Sequence, residues 1–185
     1  KFSATNSKAW PSTSATTDSF NNSLAFSNDT GYWGTGTGVT NTSFGLQNAA
    51  GGNNHTSDLI AYCWHSVAGY SKFGSYTGNG SPDGPFIYTG FKPAFVMVKR
   101  TTGSFSASDG LWTLVDSTRR PFNGGAPNTL YANDPSAEYT SSSGNRIDLL
   151  SNGFKLADSN NNVNSTENFI YMAFAEQPYE FATSR

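Results

Sequence analysis

The chain has 185 residues, of which 25 are Ser, 20 Thr, 19 Asn and 19 Gly; charged residues make up only 13%, aromatics 15%, and the formal net charge is −2. Four Glu and six Lys are too few for a long helical bundle, the aromatic content is too high for a disordered chain, and a slightly acidic balance with no basic patch excludes a nucleic-acid binder. One cysteine excludes an intramolecular disulfide framework, and no run of 18 apolar residues is present to span a membrane as a helix.

The chain begins at Lys1 without initiator Met, apolar leader or cleavage motif, as expected of a processed chain or a piece of a longer one. Residues 1–40 are Ser/Thr/Asn-rich, with scattered apolar points at Phe2, Trp10, Phe20, Leu24 and Phe26 that follow no helical period. They predict an irregular N-terminal arm with one short strand around Leu24–Phe26. Gly31-Tyr-Trp-Gly-Thr-Gly-Thr-Gly38 lacks the Gly-Lys-Ser/Thr ending of a phosphate loop, so it reads as a turn.

Residues 41–185 read as strands separated by turns, a second unit organised as a β-sandwich domain. Asp58–His65 is apolar on both alternating faces and predicts a central strand covered on both sides. Pro85–Thr89, Ala94–Arg100, Leu111–Asp116, Arg146–Leu150, Gly153–Leu156 and Asn168–Ala175 supply further strands. Between them stand the turn signals Gly78-Asn-Gly80, Pro82-Asp-Gly84, Asn123-Gly-Gly125, Asn133-Asp-Pro135 and Asn152-Gly153. This spacing predicts an all-β, antiparallel sandwich or barrel, with helix limited to one short turn near Asp134–Glu138. At an offset of 110 residues, 44–64 matches 154–174 with five identities in 21 positions, including Phe44 on Phe154, Leu46 on Leu156 and Ile60 on Ile170. Both copies run Phe-x-Leu, a polar loop, then a long apolar stretch, which predicts two related hairpins.

The chemistry is sparse. Asp116 and Asp148, at strand ends, are the carboxylate pair to consider for acid/base work, the other carboxylates standing mostly in turns. Cys63 and His65 share one face of their strand but have no Gly-x-Ser-x-Gly elbow or fixed acid beside them; a buried, apolar role for Cys63 is the expectation. Asp158-Ser-Asn-Asn-Asn-Val-Asn164 alternates oxygen ligands like the start of a calcium loop, yet has Val163 where that loop needs Gly and Phe169 where it needs Glu, and so predicts a polar hairpin loop. Six Asn-x-Ser/Thr sequons, among them Asn79 and Asn164, follow from the composition. No catalytic residue, metal ligand or cofactor is predicted. Uncharged Ser, Thr, Asn, Gly and Tyr surfaces instead suit sugar hydroxyls or the packing of identical subunits. Tyr32, Trp33, Tyr70, Tyr76 and Tyr139, set in Gly/Asn-rich turns, are the candidate glycan contacts.

Gly90–Arg100, Trp112–Arg119, Ser151–Leu156 and Asn168–Ala175, with Tyr62-Cys-Trp-His65 and Gly74–Gly80 upstream, carry a resemblance over about residues 58–176. The pattern resembles a β-rich domain of virion structural proteins, often tail-fibre-like, of tailed bacteriophages, marine phages among them. The resemblance implies a lectin-like sandwich (concanavalin-type or jelly-roll) at the end of a fibre or appendage on the particle surface, with no catalytic residues to transfer. On the first functional reading the chain is a homo-oligomer, a trimer in a fibre, in contact with other virion proteins and a host-surface glycan; charge and the lack of a long apolar run predict no nucleic acid and no membrane insertion. A capsid decoration or head-fibre subunit with a purely structural role is the alternative, and a glycan depolymerase the third.

Overall fold

The computed structural model describes residues 8–9, 16–19, 27–28, 62–104, 110–140 and 144–177. These residues are all β, with no helix among them and every paired strand antiparallel. In the arm, β1 (Lys8–Ala9), β2 (Thr16–Ser19) and β3 (Ser27–Asn28) form a small three-stranded ladder, where one short strand was predicted. Leu24–Phe26 and Gly31–Gly38 lie outside the described residues.

The rest is built from two sheets. The larger has the order β4-β11-β6-β7-β8, from Ser71–Thr77 (β4), Asn168–Ala175 (β11), Pro93–Arg100 (β6), Thr113–Asp116 (β7) and Leu130–Tyr131 (β8). The smaller has the order β5-β10-β9, from Phe86–Tyr88 (β5), Gly153–Leu156 (β10) and Ile147–Leu150 (β9). Their facing side chains make one core: Ile87, Ile147, Leu149, Phe154 and Leu156 from the small sheet meet Val96, Val98, Val115, Tyr171 and Ala173 from the large one. Such strands alternate at period two, so burying one face leaves the other for different use. On the large sheet that other face is also apolar, with Met97, Trp112, Ile170 and Met172 buried together. On the small sheet it is open.

Two expectations change. Residues 62–65 are irregular and exposed; they do not form a central strand, and residues 58–61 lie outside the described residues. The place beside β11 is taken by β4. Val67–Tyr70 turns the chain into that strand, and Ser71 Oγ donates to His65 O, so residues 62–65 pass beyond the edge of the sheet. The proposed repeat therefore pairs exposed coil at 62–64 with sheet at 172–174; the rest of its first copy lies outside the described residues. The second change is at 134–138, where no helical turn forms. Asp134 Oδ1 accepts the Ser136 N–H in a tight local turn, and the chain then extends into the bridge between Thr129 and Tyr139.

The polar loop 157–164 is held by its own amides. Asn164 is fully buried, its Nδ2 donating to Asn79 Oδ1, Ser81 O and Asp158 O, and its Oδ1 accepting the Asn79 N–H. Asp158 accepts the Asn160 and Gly144 N–H groups. These oxygens are turned onto backbone donors, as expected of a hairpin loop. Burial also removes Asn164 as a glycosylation acceptor.

The core carries a pH dependence. Tyr76 stacks on Phe169 at 4.9 Å and donates to Val163 O at 2.7 Å, and burial pushes its pKa well above the usual tyrosine value. Burial raises Tyr171 as well. The folded state keeps protons that the unfolded chain releases near pH ~10. Stability is thus expected to be full below that pH and to fall as pH rises beyond it. Urea titrations at rising alkaline pH check this, and Tyr76→Phe should flatten the fall.

Candidate functional site

The open face of the small sheet gathers exposed aromatic and charged side chains. In β5 only Ile87 points to the core, so Phe86 and Tyr88 share the outward face and are 45% and 64% exposed. Tyr88 lies opposite Gly153, and Phe86 opposite Lys155. A Cβ at Gly153 would sit 2.2 Å from Ile87 O and 2.8 Å from Phe86 Cζ, so the glycine lets β5 approach and the Phe86 ring lie over the strand.

Charged groups continue from this pair across the sheet. Lys155 Nζ lies 2.6 Å from Asp83 Oδ1, and that hydrogen bond, with the lysine's charge, holds the Asp83 carboxyl below the usual aspartate range. Lys155 pairs in register with Asp148 of β9. Asp148 in turn receives Arg120 Nη2 at 2.8 Å, while Arg120 Nη1 donates to Ile147 O at 2.6 Å. The Arg120 guanidinium is buried, which pulls its pKa down from the usual arginine value. Arg146 precedes β9, and its carbonyl accepts the Ala157 N–H, continuing the ladder beyond the strand. At the far edge, Asn123 makes a two-way amide bond with the Leu149 backbone, and Phe122 beside it is 81% exposed.

The sequence-predicted contacts are not brought together. Tyr32 and Trp33 lie outside the described residues. Tyr76 is partly buried and packs against the core, stacked on Phe169 at 4.9 Å with its hydroxyl donating to Val163 O at 2.7 Å. Tyr70 is partly exposed at the start of β4, edge-on to Phe174 at 6.1 Å. Tyr139 is bridged to Thr129 next to β8, with its ring 6.5 Å from that of Tyr131. Because β4 and β8 are the two edges of the large sheet, Tyr70 and Tyr139 stand on opposite sides of the fold. The aromatics that share one open face are Phe86 and Tyr88. Their signal was present in the order Phe-Ile-Tyr, since period-two alternation with Ile inward turns both rings outward.

The two carboxylates weighed for catalysis are each held by an arginine. Asp116 accepts the Thr118 and Arg119 N–H groups and pairs with Arg119 at 2.8 Å, whereas Asp148 sits in the other sheet with Arg120. Cys63 is exposed, contrary to the buried role expected of it, because the chain around it lies outside the sheet. His65 Nδ1 is 3.0 Å from Ser66 O. Among the described residues no three His, Cys, Asp or Glu side chains gather as metal ligands.

The model of a family described as a domain of unknown function, DUF7483, matches residues 5–178. The chain belongs to this family. The DUF7483 match runs through both the arm and the sandwich. No curated protein and no solved structure matches the chain.

Proposed function

We propose that this DUF7483 domain is a non-catalytic recognition module: a fibre or appendage domain of a tailed-phage virion that holds a host-surface glycan on the open face of its small sheet. The observation that carries this reading is the outward pair Phe86 and Tyr88 beside Gly153. An exposed ring next to a residue without a side chain offers a flat apolar platform, and the apolar C–H face of a pyranose is complementary to it. Lys155, opposite Phe86, and its partner Asp83 border the platform and supply hydrogen-bonding groups to sugar hydroxyls. In this reading the domain sits on the particle surface as a homotrimer with other virion proteins. Phe122 and the stacked Tyr62–Trp64 pair, 6.2 Å between centroids, are exposed apolar surfaces for packing against them. The purely structural role in a capsid decoration or head fibre is the second reading, and those same exposed rings favour it.

Tyr88→Ala separates the two. Because the ring is mostly in solvent, stability should change by less than about 0.5 kcal/mol. Binding to host cells or their extracted polysaccharide should fall about tenfold, equivalent to about 1.4 kcal/mol. Unchanged binding, or none by the parent domain, favours the structural role. Sedimentation that finds only a particle of one-chain mass counts against both.

A further inference from the structure

We infer that the open face of the small sheet selects anionic saccharides, those bearing a carboxylate or a sulfate, with Arg146 as the group that reads the charge. The inference rests on the carbohydrate reading of this face and names the class of sugar it takes.

Three cations, Lys155, Arg146 and Arg120, and two carboxylates, Asp83 and Asp148, gather here, with Arg120 buried under the face, its side chain 2% exposed. Two of the cations are already engaged: Lys155 with Asp83 at 2.6 Å and Arg120 with Asp148 at 2.8 Å. Arg146 has no carboxylate partner among the described residues, and its Nε is buried without a hydrogen-bond acceptor. A guanidinium matches the two oxygens of a carboxylate or sulfate in a forked pair of hydrogen bonds, which a neutral hydroxyl cannot reproduce.

Position links this charge to the aromatic platform. Arg146 stands two residues before Asp148, so alternation puts it on the outward side with Asp148 and Lys155. From β5 across β10 to β9 is about 10 Å, at roughly 4.8 Å per strand, and Arg146 lies two residues, about 7 Å, beyond the position in line with Phe86, so the two stand about 12 Å apart. A short oligosaccharide spans that distance, with one ring on Phe86 and Tyr88 and an acidic group at Arg146. The chain as a whole carries a charge of −2, so attraction of an anion to this face comes from the local surplus and not from the bulk charge.

The test is binding of the whole domain to a panel of neutral, carboxylated and sulfated oligosaccharides of matched length. Parent, Arg146→Gln, Arg146→Lys and Tyr88→Ala proteins are compared, each first checked for unchanged thermal unfolding. At least one anionic series should bind tenfold or more tighter than the neutral one, and whichever does so identifies the acidic group. Arg146→Gln should bring that series down to the neutral level. Arg146→Lys should keep part of the preference, since the charge remains while the fork is lost. Tyr88→Ala should weaken every series alike. Equal binding of neutral and anionic sugars, or a preference untouched by Arg146→Gln, overturns the anionic selection and leaves the carbohydrate reading standing. Binding to no member of the panel, together with no binding to host cells, overturns both.

Discussion

Asn164→Ala is expected to destabilise the domain by about 3–4 kcal/mol, at about 1 kcal/mol net for each of three hydrogen bonds' worth (two amide N–H groups shared among three acceptors, and one bond accepted), with more for partners left without water. The side chain is fully buried and joins two stretches of chain far apart in sequence: 79–81 and its own loop, 158–164. Without it, Ser81 O, Asp158 O and the Asn79 N–H lose partners at once. The loss should appear in urea unfolding as a lower midpoint with an unchanged slope. Asn164→Asp keeps the acceptor toward Asn79 N–H but gives up both amide donors and with them all three acceptors, and should recover only a small part of the stability. The effect reaches the candidate site, because Asn79 Nδ2 also donates to Asp83 O and so positions the partner of Lys155. A variant losing under about 1 kcal/mol would show that the loop is held by other means.

Phe154→Ala is expected to cost about 3–5 kcal/mol through lost transfer energy and the cavity left behind. The ring is fully buried and meets Tyr171 edge-on at 5.3 Å and Tyr76 at 6.4 Å. It links the two sheets, since it projects from β10 of the small sheet onto β4 and β11 of the large one. Thermal unfolding followed by near-ultraviolet circular dichroism checks both the loss of stability and the change around the two tyrosines. The neighbours of Phe154 in β10 are Gly153 and Lys155, which face the other way and border the aromatic platform. A comparison with Tyr88→Ala therefore separates the two faces of one sheet. The inward substitution should cost stability, and the outward one should cost binding alone.

Much of this was legible along the chain. Six of the predicted strands recur as β5, β6, β7, β9, β10 and β11, because hydrophobic alternation and β-branched residues mark strands wherever a face is buried. The turn signals at 78–84 and 123–125 fall between strands, and the Ser151-Asn152 turn joins β9 to β10. The longest strand that was missed, β4, reads Ser-Lys-Phe-Gly-Ser-Tyr-Thr, an edge strand with no apolar alternation; the two-residue β8 was missed as well. Its place was decided by its partner: a Cβ at Gly74 would lie 2.9 Å from the Tyr171 ring, so the glycine that weakened the local signal is what admits that ring. The reverse error came at 62–65, where a run apolar on both faces looked like a central strand but stands exposed beside a turn. Apolar content there specified a tendency to be covered; it did not specify by what.

The candidate site divides in the same way. That Phe86 and Tyr88 share a face follows from their spacing alone, as does the turn chemistry of the Asn-rich loop. Composition by itself determined an all-β chain: few helix formers, many turn residues, and enough aromatics to fill a core. What only the tertiary structure decided was which face of each sheet is open. That choice depends on long-range pairing, since Phe154 and Ile87 are drawn inward by strands of the other sheet. Their neighbours are turned outward as a consequence, and Arg146, Asp148 and Lys155 come to border two rings that local sequence does not place beside them.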